Sequence, residues 1–452
     1  MASDKQQKLS PAVDNPSNSG QGDETVADTS EATDSVTVGE MERVVERENL
    51  RRALNQVKRN KGGPGIDGLT VERLPDYLKV HWPALRTQLL NGSYRPAAVK
   101  QVLIPKPGGA VRSLGIPTVV DRFIQQAVLQ VLQGEWDQTF SQCSYGFRPK
   151  RSAHQAVVRA QEYVRAGHRW VVDLDLEKFF DTVNHDVLMH RVRQRVQDDR
   201  VRGLIRRFLK SGVQVAGTLR ASGSGTPQGG PLSPLLSNLL LDELDKELER
   251  RGHHFVRYAD DCNIYVSSRR AGERVLASVR SFLEKRLKLK LNEQKSAVDR
   301  PWNRRILGFA LSGGRHHYRR AVSARAIDEL KAKVRRLTQR TRGYSLEQII
   351  AELRPALLGW LAYFGFAEIR TPLAELDKWI RRKLRCYQWK QWGRAGYRRL
   401  RAMGVSRELA WNTAKSAHGP WRLSRSPALN YAMDSAYFTA LGLPILAGSR
   451  PQ

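Results

Sequence analysis

Residues 254–266 constrain the fold of this chain more than any other stretch. Two apolar runs, 254–258 and 262–266, are rich in β-branched and aromatic residues and flank the adjacent acids Asp260 and Asp261. This composition is typical of a strand, a tight turn and a second strand, so it predicts a hairpin with two carboxylates at its tip. Adjacent acids in a turn are usually solvated or bonded to nearby backbone, and the hairpin alone therefore does not define a site.

A second acidic segment lies at residues 169–181. Asp173 and Asp175 alternate with Val172 and Leu174, which is the period of a strand with both acids on one face. A surface strand with a polar face would show the same pattern, although a half-buried carboxylate is costly unless it meets a cation. Two carboxylate elements can together hold a pair of Mg²⁺ ions, and such pairs are a common device for moving phosphoryl groups.

The charge of the chain favours a polyanionic partner. Lys and Arg number 76 against 45 Asp and Glu, for a net charge of +31, and residues 1–40 hold eight acids but only two bases. The basic excess after residue 40 favours nucleic acid; a membrane surface, and charge that serves only solubility, are the weaker alternatives. No apolar run is long enough to span a bilayer, so no membrane partner is expected.

The three cysteines, Cys143, Cys262 and Cys386, are far apart in the chain. The lack of paired spacing argues against a disulfide framework and against a zinc site, and it fits a reducing cytoplasm. Residues 1–40 lack the apolar core of a signal peptide. They are rich in Ser, Thr, Asp, Gln and Gly, so a disordered acidic tail is predicted there.

Local patterns divide the rest of the chain into helices and strands. Strands are predicted over 99–105 and 111–117, joined by a turn, and the pattern after residue 324 becomes helical and strongly basic. Helices are predicted over these approximate ranges: 38–59, 70–90, 120–135, 185–196 and 199–210. No internal repeat is visible, and 452 residues are enough for two or three domains.

In this order and at these intervals, the acidic segments and the stretch 225–238 resemble the bacterial group II intron reverse transcriptases and maturases. The resemblance runs from about Val45 to the C-terminus. It implies an α+β right-hand polymerase, in which fingers and palm with an antiparallel sheet plus helices are followed by a helical thumb or maturase domain. The expected boundaries are 1–40 for the disordered acidic tail, 41–310 for fingers and palm, 311–400 for the thumb and maturase X domain, and 401–452 for a basic C-terminal DNA-binding region.

The resemblance assigns the metal site to Asp175, Asp260 and Asp261. These catalytic carboxylates would bind two Mg²⁺ ions, with the backbone carbonyl of Leu176 as an added ligand. One ion would lower the pKa of the primer 3′-hydroxyl, and the other would hold the incoming triphosphate and stabilise the pyrophosphate leaving group. Asp173 does not match a ligand position of the family and is expected to be structural.

The residues expected to contact the incoming nucleotide are Lys106, Arg112, Phe180, Gln228 and Lys295. A solvated cationic turn is the alternative for the first two, and an ordinary surface lysine is the alternative for Lys295. Phe180 matches the family's aromatic gate against the ribose 2′-hydroxyl, although a core ring beside Phe179 has the same spacing. Gln228 lies in a loop rich in Gly and Pro, whose glycines permit close approach to a ligand.

The residues expected to contact template or intron RNA are Arg148, Lys150, Arg151, Arg381, Arg382 and Lys383. The first three lie in a family motif at 144–154, in which His154 is expected at a helix start or in the core. The last three lie in a stretch at 355–392 that resembles the maturase thumb, where Trp360 and the aliphatic residues have the spacing of a helical core. Basic faces interleaved with aromatic rings suit structured RNA.

The predicted function is RNA-directed DNA synthesis, with assistance to splicing of the protein's own group II intron RNA and mobility by target-primed reverse transcription. Intron RNA, a DNA target with its primer, and dNTPs are the expected partners, in a bacterial cytoplasm and on the nucleoid. The chain reaches Gln452 without the paired cysteines and histidines of an HNH endonuclease, so an endonuclease-lacking member similar to those of group IIC introns is expected. The alternatives are a reverse transcriptase of a retron, diversity-generating or CRISPR-associated system, and a non-catalytic RNA-binding splicing cofactor.

Overall fold

The computed structural model describes residues 39–105, 111–215, 218–220, 229–313 and 317–448. For Arg112, residues 213–215 and residues 218–220 it describes the backbone alone. Lys106, Gln228 and nearly all of the predicted acidic tail therefore lie outside the described residues.

Helices and short strands alternate up to about residue 320, and helices follow. The helices of the first part are α1 (Glu40–Val44), α2 (Arg47–Asn60), α3 (Leu74–Leu90), α4 (Val119–Trp136), α5 (Ala153–Arg165), α6 (Phe179–Thr182), α7 (His185–Arg193), α8 (Asp199–Lys210), α9 (Ser233–Arg250) and α10 (Arg269–Phe282). Those of the second part are α11 (Ala324–Leu337), α12 (Leu346–Phe364), α13 (Thr371–Trp392), α14 (Gly396–Ala402), α15 (Arg407–Lys415), α16 (Pro420–Leu423), α17 (Pro427–Ala432) and α18 (Ser435–Ala440). No helix within the described ranges is long and apolar enough to cross a membrane.

The strands of the described residues form three sheets. They are β1 (Val99–Pro105), β2 (Val111–Ile116), β3 (Trp170–Leu174), β4 (Val213–Val215), β5 (Thr218–Arg220), β6 (His254–Tyr258), β7 (Asp261–Val266), β8 (Ala297–Asp299), β9 (Phe309–Leu311) and β10 (Arg320–Val322). The sheet orders are β2-β1-β4-β5, β6-β7-β3-β8 and β10-β9. In the first sheet β1 pairs with β2 antiparallel and with β4 in parallel, a contact that the local pattern of neither strand predicts.

The acidic segment and the acidic hairpin meet in the antiparallel sheet β6-β7-β3-β8. Leu174 at the end of β3 lies opposite Cys262 of β7, and Val172 lies opposite Val298 of β8. This register brings the end of β3 beside the β6–β7 turn. The predicted antiparallel palm sheet is therefore confirmed, and Asp175, the first residue after β3, lies at the same end of the sheet as the hairpin acids.

The strand β3 separates two hydrophobic cores because its alternate side chains point to opposite faces. Val172 and Leu174 belong to a core that includes residues of α4 and α9, whereas Val171 belongs to a core that includes residues of α12 and α13. Asp173 shares the face of Val171 and is half-buried. The second core thus connects the palm sheet to the helices that follow it.

One predicted helix is two helices in the structure. The range 38–59 is broken after Val44, and Glu46 adopts an extended backbone between α1 and α2. The buried side chain of Asn49 donates to the carbonyl of Val44 at 2.9 Å and to that of Ala127 on α4 at 3.0 Å. The prediction of a continuous helix was wrong. The side chain of Asn49 occupies the carbonyl of Val44, which in a continuous helix would accept a hydrogen bond from the helix backbone.

His154 connects the palm to the helices after it. It is the second residue of α5, where its Nε2 lies 2.8 Å from the carbonyl oxygen of Tyr363 and its ring stacks on Phe366 at 4.4 Å between centroids. The prediction that His154 lies at a helix start is confirmed. Its contacts explain its position as a packing residue.

Candidate active site

The β6–β7 turn carries the adjacent acids, and a glycine from another part of the chain leaves room for the backbone of this turn. Tyr258 pairs with Asp261, so Ala259 and Asp260 form the turn, and Ala259 has a left-handed φ of 57°. The backbone of Gly146 lies against this turn, and a Cβ there would be 2.2 Å from the nitrogen of Ala259. Any larger residue at position 146 would therefore displace the turn.

A buried ion pair supports the hairpin from beneath. The guanidinium of Arg257 donates to both carboxylate oxygens of Asp245 on α9, at 2.7 and 2.5 Å. It also donates to the side chain of Asn238 at 3.0 Å and to the carbonyl of Ala259 at 2.9 Å. Asn238 in turn donates to the carbonyl of Gly146 at 2.8 Å. One hydrogen-bonded network thus joins α9 to the turn and to the glycine that packs on it.

Asp245 and Arg257 are not among the residues that the sequence patterns predicted for the site. A signal was present, because Asp245 lies between Leu244 and Leu248 on the buried face of α9, where a carboxylate without a cation would be costly. The pattern of α9 alone, however, does not identify which cation meets it.

Asp175 is held by the loop that precedes β8. Its backbone nitrogen donates to the hydroxyl of Ser296 at 3.0 Å, and its carbonyl accepts from the nitrogen of Asn292 at 2.8 Å. The ammonium of Lys295 lies 3.6 Å from its carboxylate. The predicted metal ligand Asp175 and the predicted nucleotide contact Lys295 are therefore neighbours.

The end of β3, the hairpin and the segment after β8 surround a cleft of about 670 Å³. Its polar lining includes Asp173, Asp175, Asp261, Asn263, Lys295, Arg304 and Arg305. The pKa of Asp261 is raised to about 6, because surrounding protein groups displace water from it and because Asp260, Asp173 and Asp175 add like charge. The side chain of Asp261 remains exposed, so a cation from solvent can reach it.

Asp173 is bonded to protein groups inside this cleft. It accepts hydrogen bonds from Asn263 at 3.0 Å and from the Nε of Arg304 at 2.9 Å. Burial raises its pKa, and Arg304 and Asn263 oppose that rise. These contacts agree with the predicted structural role of Asp173.

The carboxylates of the cleft, together with Asp260 in the adjoining β6–β7 turn, suit a hard divalent cation. Asp175, Asp260 and Asp261 supply carboxylate oxygens, the ligands that Mg²⁺ prefers, and their mutual repulsion would be relieved by a cation. Within the described ranges, no group of three or more His, Cys, Asp or Glu side chains is already gathered in a form that could hold a metal ion. Leu176, whose backbone carbonyl is a predicted ligand, follows Asp175. It pairs with Leu291 in an isolated antiparallel β-bridge.

A second cavity, of about 520 Å³, lies beside Phe180. The half-buried ring of Phe180 lines this cavity together with Gly229 and Gly230, whereas Phe179 is buried and meets Phe180 edge-on at 5.2 Å. Gly229 has a φ of 132°, and a Cβ there would lie 2.5 Å from the carbonyl oxygen of Gly115. Of the two rings, Phe179 is thus the core residue and Phe180 is the one that faces open space.

The structure corrects one predicted RNA contact, Arg148. Its side chain is 3% exposed and donates to the carboxylate of Asp137 at 2.7 Å. It also donates to the carbonyls of Ser141 and Ser144 at 2.5 and 3.0 Å. The prediction was wrong for Arg148 because protein acceptors occupy its donors and the guanidinium is shielded from a template.

The other predicted RNA contacts retain access to solvent: Lys150 is exposed, and Arg151, Arg381, Arg382 and Lys383 are half-buried. On α13 the guanidinium of Arg382 lies 3.6 Å from the ring centre of Trp421, and the ammonium of Lys383 lies 4.8 Å from it. Lys383 is also 5.8 Å from the ring of Trp379. Burial and the charges of Arg335, Arg340 and Arg382 lower the pKa of Lys383, so cations from several elements lie close together on this surface.

Two known families match this chain. The family described as reverse transcriptase (RNA-dependent DNA polymerase) matches residues 104–311, and the group II intron maturase-specific domain matches residues 327–404. Protein YkfC of Escherichia coli (strain K12) is 36% identical over 273 residues, which cover 52% of this chain and 72% of YkfC. The group II intron-encoded protein LtrA of Lactococcus lactis subsp. cremoris is 36% identical over 181 residues, which cover 40% of this chain and 29% of LtrA.

Among solved structures, a partial Cas6-RT-Cas1–Cas2 complex is 27% identical to this chain, with a TM-score of 0.36. The match covers 54% of this chain and 42% of that one.

The α+β fold, its antiparallel sheet with carboxylates at one end, and the match over residues 104–311 together give the class of an RNA-dependent DNA polymerase. The matched regions specify the class: the chain belongs to the group II intron reverse transcriptases and maturases. The predicted family is thus confirmed, and with it the enzyme class of an RNA-directed DNA polymerase followed by a maturase-specific domain.

Proposed function

We propose that the 670 Å³ cleft is the polymerase centre of this reverse transcriptase and that Asp175, Asp260 and Asp261 are its metal-binding carboxylates. The observation that carries the proposal is the meeting of two acidic elements, far apart in the chain, at one end of the central sheet. The like charges that raise the pKa of Asp261 are those that a pair of Mg²⁺ ions would neutralise. The carbonyl of Leu176 is proposed as a further ligand.

The bound ions would supply activation of the primer 3′-hydroxyl and neutralisation of the triphosphate. The chain's own residues would orient the reactants. The β6–β7 turn presents Asp260 and Asp261, and its shape is fixed by Arg257 and Gly146. Asp175 is fixed by backbone contacts to the loop before β8, so the backbones that carry the carboxylates are held in place before substrate arrives, and the side chains would gather around an ion as it binds.

Four further residues are proposed to act on the incoming nucleotide with Lys295: Lys106, Arg112, Phe180 and Gln228. Lys295 is near enough to Asp175 for its ammonium to reach a triphosphate held there. The ring of Phe180 borders the cavity at Gly229 and Gly230. A nucleotide bound in that cavity would place its sugar against the ring, which would select against a ribose 2′-hydroxyl.

We further propose that the protein binds its own intron RNA and assists its splicing, and that it supports target-primed reverse transcription on DNA in the bacterial cytoplasm and nucleoid. The group II maturase-specific match and the cations of α13 beside Trp379 and Trp421 support RNA binding there, where phosphate contact and stacking dominate. Lys150, Arg151 and Arg381 are proposed as additional contacts. Residues 41–310 would be fingers and palm, 311–400 thumb, and 401–452 the DNA-binding region.

The test is extension of a DNA primer on an RNA template with dNTPs and Mg²⁺. The wild-type protein is expected to extend the primer, and the Asp260→Asn protein is expected to lose extension while it still promotes splicing of the intron RNA. Asp76→Asn is the matched control, because Asp76 is an exposed acid on α3 whose ion-pair partner is Lys79. Extension by Asp260→Asn at the wild-type rate would contradict the metal assignment.

A further inference from the structure

One guanidinium connects the palm strand to the loop that holds Asp175. The Nε of Arg304 donates to the Oδ2 of Asp173 at 2.9 Å, and its Nη2 lies 2.7 Å from the same oxygen. Nη2 also donates to the backbone carbonyl of Lys295 at 2.6 Å. Arg304 comes from the segment between β8 and β9, so three separate parts of the chain meet at its side chain.

These contacts complete a ring of interactions around the cleft. Asp173 lies two residues before Asp175 at the end of β3, Arg304 bridges from Asp173 to the carbonyl of Lys295, and the ammonium of Lys295 returns to Asp175 at 3.6 Å. Ser296 and Asn292 fasten the same loop to the backbone of Asp175. The position of the Lys295 side chain thus depends on a loop that Arg304 holds at the carbonyl of Lys295 and that hydrogen bonds join to the backbone of Asp175.

The bridge suits arginine in particular. A planar guanidinium presents Nε and Nη2 to one carboxylate oxygen at fixed angles while Nη2 also reaches the carbonyl, whereas a lysine ammonium carries its three donors on one rotatable nitrogen. Asp173 uses its other oxygen, Oδ1, to accept from Asn263 at 3.0 Å. Both partners of Arg304 are therefore oriented before substrate binds.

We infer that Arg304 is a positioning residue of the polymerase reaction, which holds the backbone of Lys295 so that its ammonium is placed beside Asp175 for the incoming triphosphate. This inference rests on the proposed function of the cleft. Arg304 touches neither the primer nor the nucleotide in this role; it acts through Lys295. If Arg304 had a purely structural role, its substitution would reduce the number of active molecules but leave the KM and kcat of each active molecule unchanged.

The test compares steady-state dNTP incorporation by wild type and Arg304→Gln on a DNA primer and RNA template, with rates divided by the concentration of active sites from a burst experiment. The variant is expected to raise KM for dNTP and to lower kcat by about tenfold, since small misplacements of a catalytic group have effects of at least this order. Arg300→Gln is the matched control, because Arg300 lies in the same segment but packs on Trp170, at 4.1 Å from its ring, outside the cleft lining.

A second variant keeps the test decisive if Arg304→Gln does not fold. Arg304→Lys retains a positive charge beside Asp173 but loses the paired Nε and Nη2 contacts that fix the angle of the side chain, so it is expected to melt like wild type and still to show the raised KM. The double variant with Lys295→Gln should be no worse than Lys295→Gln alone. Wild-type KM and kcat per active site in Arg304→Lys, or fully additive losses in the double variant, would overturn the inference. Failure of the wild-type protein to extend the primer would instead overturn the proposed function.

Discussion

Arg257 and Asp245 form an ion pair that solvent does not reach, directly beneath the turn that carries Asp260 and Asp261. Their side chains are 1% and 0% exposed, and the contact is bidentate, at 2.7 and 2.5 Å. A buried pair of this kind adds little net stability over an apolar pair, but removal of one partner leaves an uncompensated charge. The pair therefore fixes the geometry of the turn more than it stabilises the fold.

Arg257→Met is expected to lower the free energy of unfolding by about 3–5 kcal/mol, because it leaves Asp245 buried without its cation. Urea unfolding monitored by circular dichroism measures this loss. Arg269→Met is the control: it breaks an exposed pair with Glu273 of 2.9 Å, which is worth about 0.5 kcal/mol or less. Equal unfolding midpoints for the two variants would show that the buried pair has no special role.

Gly146→Ala is expected to reduce primer extension at least tenfold while RNA binding is retained. The added methyl group would lie 2.2 Å from the backbone of Ala259, so the turn must move, and displacement of catalytic groups is costly. Gly134→Ala is the matched control, since nothing lies within 4 Å of its Cβ position on α4. That change should leave extension intact; a similar loss in both proteins would refute the explanation.

Asp261 is expected to make the metal-free protein less stable as the pH rises. Its folded pKa of about 6 lies above the ordinary value of 3.8, so the stability that its neutral form contributes is present below pH 3.8 and is lost as the pH passes through 6. With EDTA at pH 7.5, Asp261→Asn should therefore raise stability by about 1 kcal/mol, after allowance for solvent screening.

Thermal melting at pH 5.0 and 7.5, with and without Mg²⁺, measures this effect of Asp261. The gain in Tm from the Asn substitution should be smaller at pH 5.0, and Mg²⁺ should stabilise wild type more than the variant. A lower Tm for Asp261→Asn at pH 7.5 in EDTA would be inconsistent with charge repulsion in the cleft.

Phe180→Val is expected to increase the use of rNTPs relative to dNTPs by about 10- to 100-fold, the order by which a small difference in substrate size changes selectivity in an apolar pocket. Phe179→Val is the control, because that ring is buried; it should cost about 1–3 kcal/mol of stability and leave sugar selection unchanged. The kcat/KM for dCTP divided by that for CTP, measured for each variant, shows which of the two rings selects the sugar. Sugar selection that changes only in the Phe179 variant would reverse the assignment.

Arg382→Gln and Lys383→Gln are expected to weaken binding of structured intron RNA. Each should also reduce the slope of log affinity against log salt by about 0.7–1 for every phosphate that the variant no longer neutralises. Filter binding at several salt concentrations measures both quantities. Lys378→Gln provides the comparison on the same helix, since its ammonium is already paired with Glu375 at 2.9 Å. An unchanged salt slope in the first two variants would place the RNA elsewhere.

The sequence by itself determined most of the elements near the site. The alternation at 170–174 and the two apolar runs around Asp260 are local patterns, and each became the strand or hairpin that it predicted, because strand period and turn chemistry depend on adjacent residues. The break between α1 and α2 was missed for the opposite reason. It depends on the buried side chain of Asn49, which bonds to α4 as well as to Val44.

Only the tertiary structure decided which partners the charged side chains meet. The pairing of Arg304 with Asp173, the pairing of Arg257 with Asp245, and the burial of Arg148 against Asp137 all join different elements. A charged residue at a given position can be a ligand contact, a surface group or half of a buried pair. Which of these it becomes depends on how much water the packed neighbours remove and on whether a distant segment supplies the opposite charge. The local sequence determines neither, because both depend on residues that only the folded chain brings together.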